Sequence, residues 1–518
     1  MFEIIDKDDL ARIGLIHTAH GVIRTPTMFP VINPIKQTLH LDEIKEAGFN
    51  HFITNAYLVK VNYGEIAAET GLHSLFNWDG PIMTDSGAYQ LLQYGYIDVD
   101  PDDIISFQVQ LGTDIGVILD LPTSVGTPRD IVITEVEETI RRARRALMQL
   151  DEEDPNHRML RVGPLQGGTH LDLLAYSSRI MGGLGFDIYA IGSPTTLLEE
   201  YELSGIIKMI ITAKLNTPPG KPIHLFGAGH PLIMPLAVLL GIDLFDSASY
   251  ALFARDERII LPDRTARLSE LSDDYLLYAC GKCQKTVKEI REMPRNERER
   301  VLALHNLHVI SHELQEIRQR IVEGSLWDYV EAKARQNINL YRAYKLIRSN
   351  AFKRLIDKLG SETKANTHEI AVFDYIDAER PEAILFRQRM KGIMKSGEIA
   401  IILLGYNEKP IIRSPLAPLL ERIVRCGVDV YIFDGVLGIV PLELSDVYPV
   451  PQINSDVIVR RKNTITYRKA VIIASEDYLK YVNLINVEGE KEVLVIPSYR
   501  AIYSYINDIS SRINCKQQ

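Results

Sequence analysis

The chain has 518 residues, 46% hydrophobic and 24% charged, with a formal net charge of −10. That is the composition of a soluble globular protein, too long for a single ordinary core. Its acidity excludes nucleic-acid binding through global charge, so any such contact must rest on a local basic patch.

No apolar run approaches the roughly 20 residues of a membrane helix. The four cysteines are too few for a disulfide framework in a chain of this size. The acidic start MFEIIDKDDL lacks a secretory apolar core, so a cytoplasmic protein is expected.

From Thr27 onward, short apolar runs with polar or glycine-containing ends alternate with amphipathic stretches. The runs are TMFPVI from Thr27, HFITNAYL from His51, PIMTDSG from Pro81 and IGVILDLPT from Ile115. They continue with MLRVGPLQGG from Met159, DIYAIGSPT from Asp187, PIHLFGAG from Pro222 and IDLFDSAS from Ile242. The intervening segments, such as ITEVEETIRRARRALMQL, carry apolar residues at helical spacing. Eight strand–helix units predict a closed (β/α)8 TIM barrel, an α/β fold. No GxGxxG follows the first run, which argues against a dinucleotide fold. The barrel domain is expected over residues 1–360. After the polar linker SETKANTHE, the runs EIAIILLGY, DVYIFDG, AVIIASE and EVLVIPS predict a smaller α/β domain over residues 370–518.

A barrel of this kind gathers its active site at the C-terminal strand ends. Those ends carry Asn55, Asp85, Asp120, Gln166 with Gly167 and Gly168, Gly192 with Ser193, Gly227 to Gly229, and Asp246. Each acid alone reads equally well as a helix N-cap. Three acids beside QGG and GAGH turns read better as one site. Two carboxylates in one cleft suit glycosyl chemistry, one attacking or stabilising an anomeric carbon while the other handles the proton. A third can hold ring N–H groups through charge-assisted hydrogen bonds. Glycines let backbone amides approach a flat ring, and Tyr89 offers a stacking face.

These motifs, TDSGAYQ, LDLPT, QGGTH, AIGSP, GAGHP and FDSASY, occur in an order that resembles the tRNA-guanine transglycosylases. The resemblance is to the archaeal branch, the archaeosine tRNA-ribosyltransferases. It implies exchange of guanine at position 15 of the tRNA D-arm for the 7-deazaguanine preQ0. Carried onto this chain, Asp246 is the nucleophile on ribose C1′ and Asp85 the general acid/base. The family is also described with the TDSG acid as nucleophile, which reverses those two roles. Ser86, Tyr89, Asp120, Gln166, Gly192 and Ser193 are the base-binding residues the resemblance implies. Pro194 has no N–H to give a nitrile, so the preference for preQ0 over another deazaguanine rests on Ser193 and Thr195.

The resemblance also implies a structural Zn2+ within residues 272–310. The family places three cysteines as CxCxxC and a histidine there. This chain has Tyr278 at the first cysteine position, leaving Cys280, Cys283 and His305 against the four ligands a structural zinc takes. Buried free thiols are the competing reading. Between Lys333 and Lys358 eight basic residues stand against the single acid Asp357, with Tyr341 and Tyr344 among them; this is the expected phosphate contact. The segments EKPIIRSPLAP and DGVLGIVPLELSDVYPV resemble a domain shared with archaeosine synthase. Leu404-Gly405 and Pro418 stand where the synthase motif needs its cysteine and histidine, so that second activity is not expected. No PUA module is recognisable. The expected partners are therefore tRNA, preQ0 and either a homodimer mate or a separate RNA-binding protein. A non-catalytic tRNA-binding subunit and a barrel glycoside hydrolase are the rival readings. Retention of both Asp85 and Asp246 opposes the first, and the glycine turns oppose the second.

Overall fold

In the computed structural model, residues 2–87, 100–192, 194–360, 369–394, 396–406, 408–498 and 501–512 are described. The chain divides into two compact units, Met1–Ser361 and Glu362–Gln518.

Every one of the eight apolar runs forms a strand. After a three-stranded antiparallel sheet, β1 (Phe2–Asp8), β2 (Ala11–Thr18) and β3 (Gly21–Arg24), come β4 (Thr27–Pro30), β5 (Phe52–Asn55), β6 (Ile82–Asp85) and β7 (Ile115–Val117). Then follow β8 (Leu160–Leu165), β9 (Ile188–Ile191), β10 (Ile223–Leu225) and β11 (Leu244–Ser247). Strands β4 to β11 form one parallel eight-stranded sheet in the order β4-β11-β10-β9-β8-β7-β6-β5. The sheet closes where Val31 bridges Ile53 and the Ile32 N–H donates to the Ile53 carbonyl at 2.8 Å. This is the expected (β/α)8 barrel.

The helices follow from the same periodicity. In Arg129–Glu153, Val132, Val136, Ile140, Ala143, Ala146 and Leu150 are buried, a stripe three to four residues apart that faces the barrel. At the mouth end of β5, Asn55 rather than an acid serves as helix N-cap, its Oδ1 accepting from the Leu58 N–H at 2.9 Å.

The sheet β1–β3, absent from the sequence expectation, plugs the N-terminal end of the barrel. Ile16 and Ile23 enter the barrel core beside Phe29, Met83, Ile115, Val162 and Leu244. Arg12 fastens the plug. Its guanidinium grips the buried Asp243 at 2.7 and 2.9 Å and the carbonyls of Pro219 and Lys221 at 2.6 Å.

The expected basic helix is instead broken into Leu326–Ala334, Ile338–Tyr344, a 3-10 turn at Lys345–Arg348, and Asn350–Leu359. Lys333 is buried and paired with Glu313 at 2.5 Å, and Tyr344 lies in the core. Neither is placed to meet a phosphate. Arg342, Lys345 and Arg354 remain exposed.

The second unit carries a five-stranded sheet. Its three central strands, Ser396–Leu404, Asp429–Asp434 and Asn463–Ser475, are parallel neighbours. Apolar clusters pack on both faces: Leu420, Ile423 and Ile506 with one set of sheet residues, Tyr431, Tyr467 and Ile485 with the other.

Candidate active site

Three of the sequence-predicted acids stand at the C-terminal ends of barrel strands: Asp85 closes β6, Asp120 follows β7 and Asp246 lies in β11. Among the described residues Asp120 and Asp246 cap no helix, so the N-cap alternative does not account for them.

Asp85 is half-buried, and its carboxyl is pushed up to about 7 from the usual 3.8. Burial is the main cause, followed by the charges of Asp120 and Asp246, while the Ser86 and Gly87 N–H groups oppose the rise. The Asn55 amide donates to Asp85 Oδ2 at 3.1 Å. This acid therefore keeps its proton to a higher pH than an ordinary carboxyl.

Asp246 has the contrary setting. Its Oδ1 accepts from the Gly227 N–H and from His224 Nε2, both at 2.8 Å. Among the described residues no hydrogen bond to Oδ2 occurs, which leaves that oxygen available. The left-handed φ of +66° at Gly227 turns its N–H onto the carboxylate. His224 is fully buried and its Nδ1 has no partner, so the geometry assigns Nε2 as the N–H donor. This histidine was not among the sequence candidates. It hides inside the apolar run PIHLFGAG, where a lone polar residue three positions before the glycine turn was the available signal.

Asp120 is pushed up to about 6, chiefly by burial, against the pull of a hydrogen bond from Gln166. That bond joins Gln166 Nε2 to Asp120 Oδ2, and Gln166 Oε1 accepts from the Thr123 N–H at 3.2 Å. Gly192 is required beside it, because a Cβ there would lie 2.2 Å from Gln166 Nε2. A carboxyl, an amide and a glycine thus meet at the C-terminal ends of β7, β8 and β9.

Ser86, proposed as a base contact, is buried and donates its hydroxyl to the Ile118 carbonyl at 3.2 Å. Its side chain therefore ties β6 to β7. Tyr89 and Ser193 lie outside the described residues.

In this form the expected metal ligands are otherwise engaged. Cys280 and Cys283 are joined to each other as a disulfide, so neither offers a thiolate in this form. His305, on the helix Arg295–Glu323, points Nε2 at the Ile260 carbonyl at 3.2 Å. Next to it, Asn306 accepts from the Ile260 N–H at 2.6 Å and donates to the Tyr250 and Arg258 carbonyls. The pair stitches this long helix to the strand Arg258–Ile260. Tyr278, at the first cysteine position of the motif, is 63% exposed.

A family profile described as queuine tRNA-ribosyltransferase matches residues 7–339. A protein from Pyrobaculum aerophilum called tRNA-guanine(15) transglycosylase is 46% identical over 451 residues, covering 87% of this chain and 89% of its own. One of the same name from Sulfolobus acidocaldarius is 38% identical over 495 residues, 92% of this chain and 96% of its own. A third, from Aeropyrum pernix, is 38% identical over 462 residues, 88% and 87% of the two chains. With this similarity across barrel and second unit alike, the chain belongs to the tRNA-guanine transglycosylase family, the queuine tRNA-ribosyltransferases.

Proposed function

We propose that the protein exchanges guanine at position 15 of tRNA for a 7-deazaguanine, preQ0, in archaeosine formation, through a covalent Asp246–ribose intermediate. The observation that carries this reading is the division of labour between two acids at one mouth. Asp246 has two N–H donors on Oδ1 and, among the described residues, an open Oδ2, the setting of a nucleophile. Asp85 is half-buried and shifted toward the protonated form, the setting of a general acid. The relatives named above are called tRNA-guanine(15) transglycosylases, which supports guanine 15 of tRNA as the target.

In the first half-reaction Asp246 Oδ2 attacks C1′ as the bond to guanine N9 breaks, and Asp85 gives its proton to the departing base. In the second, the deazaguanine nitrogen attacks C1′, the ester to Asp246 breaks, and Asp85 takes the proton from the incoming base. Asp120 and Gln166 orient both bases through their amide-like edge.

Purified protein, unmodified tRNA, labelled guanine and preQ0 test this reading. Exchange and a denaturation-resistant protein–RNA adduct are expected, both lost in Asp246→Asn. Tight tRNA binding with neither would make the chain a non-catalytic RNA-binding subunit. Exchange by this chain alone would dispense with a separate RNA-binding protein, leaving a homodimer as the assembly to weigh.

For the reduced chain we propose a structural zinc on Cys280, Cys283 and His305. Its support is the buried, partnerless Nδ1 of His305 and the Cys283 N–H donating to Cys280 Sγ at 3.0 Å. Such an ion would fasten the segment and take no part in the exchange. With Co2+ in its place, sulfur charge-transfer absorption should appear on reduction and be absent in Cys280→Ser.

A further inference from the structure

A second polar cluster lies at the opposite end of the barrel from the acids. Asp114 immediately precedes β7, His73 lies in the short helix Leu72–Phe76, and His20 sits in the turn between β2 and β3. The Asp114 side chain is fully buried, yet among the described residues its partners carry no fixed positive charge. They are the peptide N–H groups of His20 (3.0 Å) and Ile82 (2.9 Å) and two imidazoles. His20 Nδ1 stands 2.9 Å from Oδ1, and His73 Nε2 stands 3.0 Å from Oδ2.

Burying an anion is costly unless a cation pairs with it, and among the described residues no Lys or Arg reaches Asp114. The two rings are stacked, their centroids 3.6 Å apart, so both bring a nitrogen to the same carboxylate. The Gly80 carbonyl lies 3.2 Å from His73 Nε2 and adds a further oxygen. The ligand atoms of His20, His73 and Asp114 all lie within 4.8 Å of one another. Zn–N and Zn–O bonds of 2.0–2.2 Å in a tetrahedron set neighbouring donors about 3.3 Å apart. The histidines meet different Asp114 oxygens, at 2.9 and 3.0 Å, so a small shift of one ring onto the shared oxygen brings the set to that spacing.

We propose that His20, His73 and Asp114 form a divalent-cation site of zinc type, with the Gly80 carbonyl as fourth donor. Two nitrogens and two oxygens suit Zn2+ among the available divalent ions. The backbone N–H groups on each Asp114 oxygen hold the carboxylate in orientation, as outer-shell donors do. His20 is 41% exposed, which gives the ion a path in. Its effect is mechanical: it clamps the β2–β3 turn of the plug to the barrel base. The cluster shares no residue with Cys280, Cys283 or His305.

The test uses the full chain in two forms, oxidised wild type and Cys280→Ser/Cys283→Ser, each stripped with chelator. Calorimetric titration with Zn2+ should give one site in both. Co2+ should give tetrahedral d–d bands without sulfur charge transfer, and Zn2+ should raise Tm. His20→Ala, at an exposed position, should keep the fold but lose all three responses, whereas His17→Ala on the same hairpin should retain them. Absence of stoichiometric binding, or binding unaltered by His20→Ala, would overturn the proposal and make the cluster a metal-free hydrogen-bond clamp.

Discussion

Asp85 and Asp246 are the same side chain made unlike by their surroundings, and each difference has a measurable consequence. For Asp85 the folded value of about 7 lies above the usual 3.8. An acid whose folded pKa is raised contributes stability below its unfolded pKa and loses it as pH rises through the folded one. Asp85→Asn should therefore match wild type in thermal stability below pH 4 and become progressively more stable from pH 4 to 8, reaching a few kcal/mol at ~1.4 kcal/mol per pKa unit. A gap that stays constant with pH would remove Asp85 as a proton-holding acid. For Asp246 the neighbour to change is His224, which holds Oδ1 at 2.8 Å. Losing one preorganised donor at a reacting centre costs about 10²–10³ in rate. His224→Phe should lower single-turnover exchange by that order while tRNA affinity stays put, and His224→Gln, which retains an N–H donor, should recover part of it. Equal losses in both variants would mean that His224 only packs.

At the scale of elements, the plug β1–β3 and the barrel depend on each other through Arg12 and Asp243. Removing one partner of a buried ion pair costs about 3–5 kcal/mol because the other is left unpaired. Arg12→Ala should lower the denaturant midpoint of the first unit accordingly; a change below 1 kcal/mol would show the plug is held by Ile16 and Ile23 alone. The barrel strands were legible because each is a short apolar run that ends abruptly at a polar residue, as PIMTDSG does at Asp85. The plug was not legible. FEIIDKD in β1 exposes most of its residues, so burial left no pattern to read. The acids and Gln166 were legible from their strand-end positions, but His224 was masked by the run around it. Ser86 was drawn toward the ligand by its motif, whereas its hydroxyl is committed to Ile118. The basic run misled for a similar reason: composition does not show that Lys333 turns inward to meet Glu313.

For the whole molecule, the question is how a chain of net charge −10 holds a polyanion. Long-range attraction is unfavourable overall, so contact must be local and strongly dependent on salt. Within the former basic run, Arg342, Lys345 and Arg354 are among the residues that face solvent, and Lys345 also lies over the Tyr341 ring at 5.3 Å. A cation held on an aromatic face keeps its charge directed outward while giving up less side-chain freedom on binding. If these three meet phosphates, the triple alanine variant should weaken tRNA binding and flatten the plot of log Kobs against log salt by about 1 per charge removed. The single-turnover rate at saturating tRNA should stay unchanged, because none of the three belongs to the acid cluster. An unaltered slope would move the phosphate contact elsewhere on the chain, and a lower saturated rate would mean that this segment positions the base as well as the backbone.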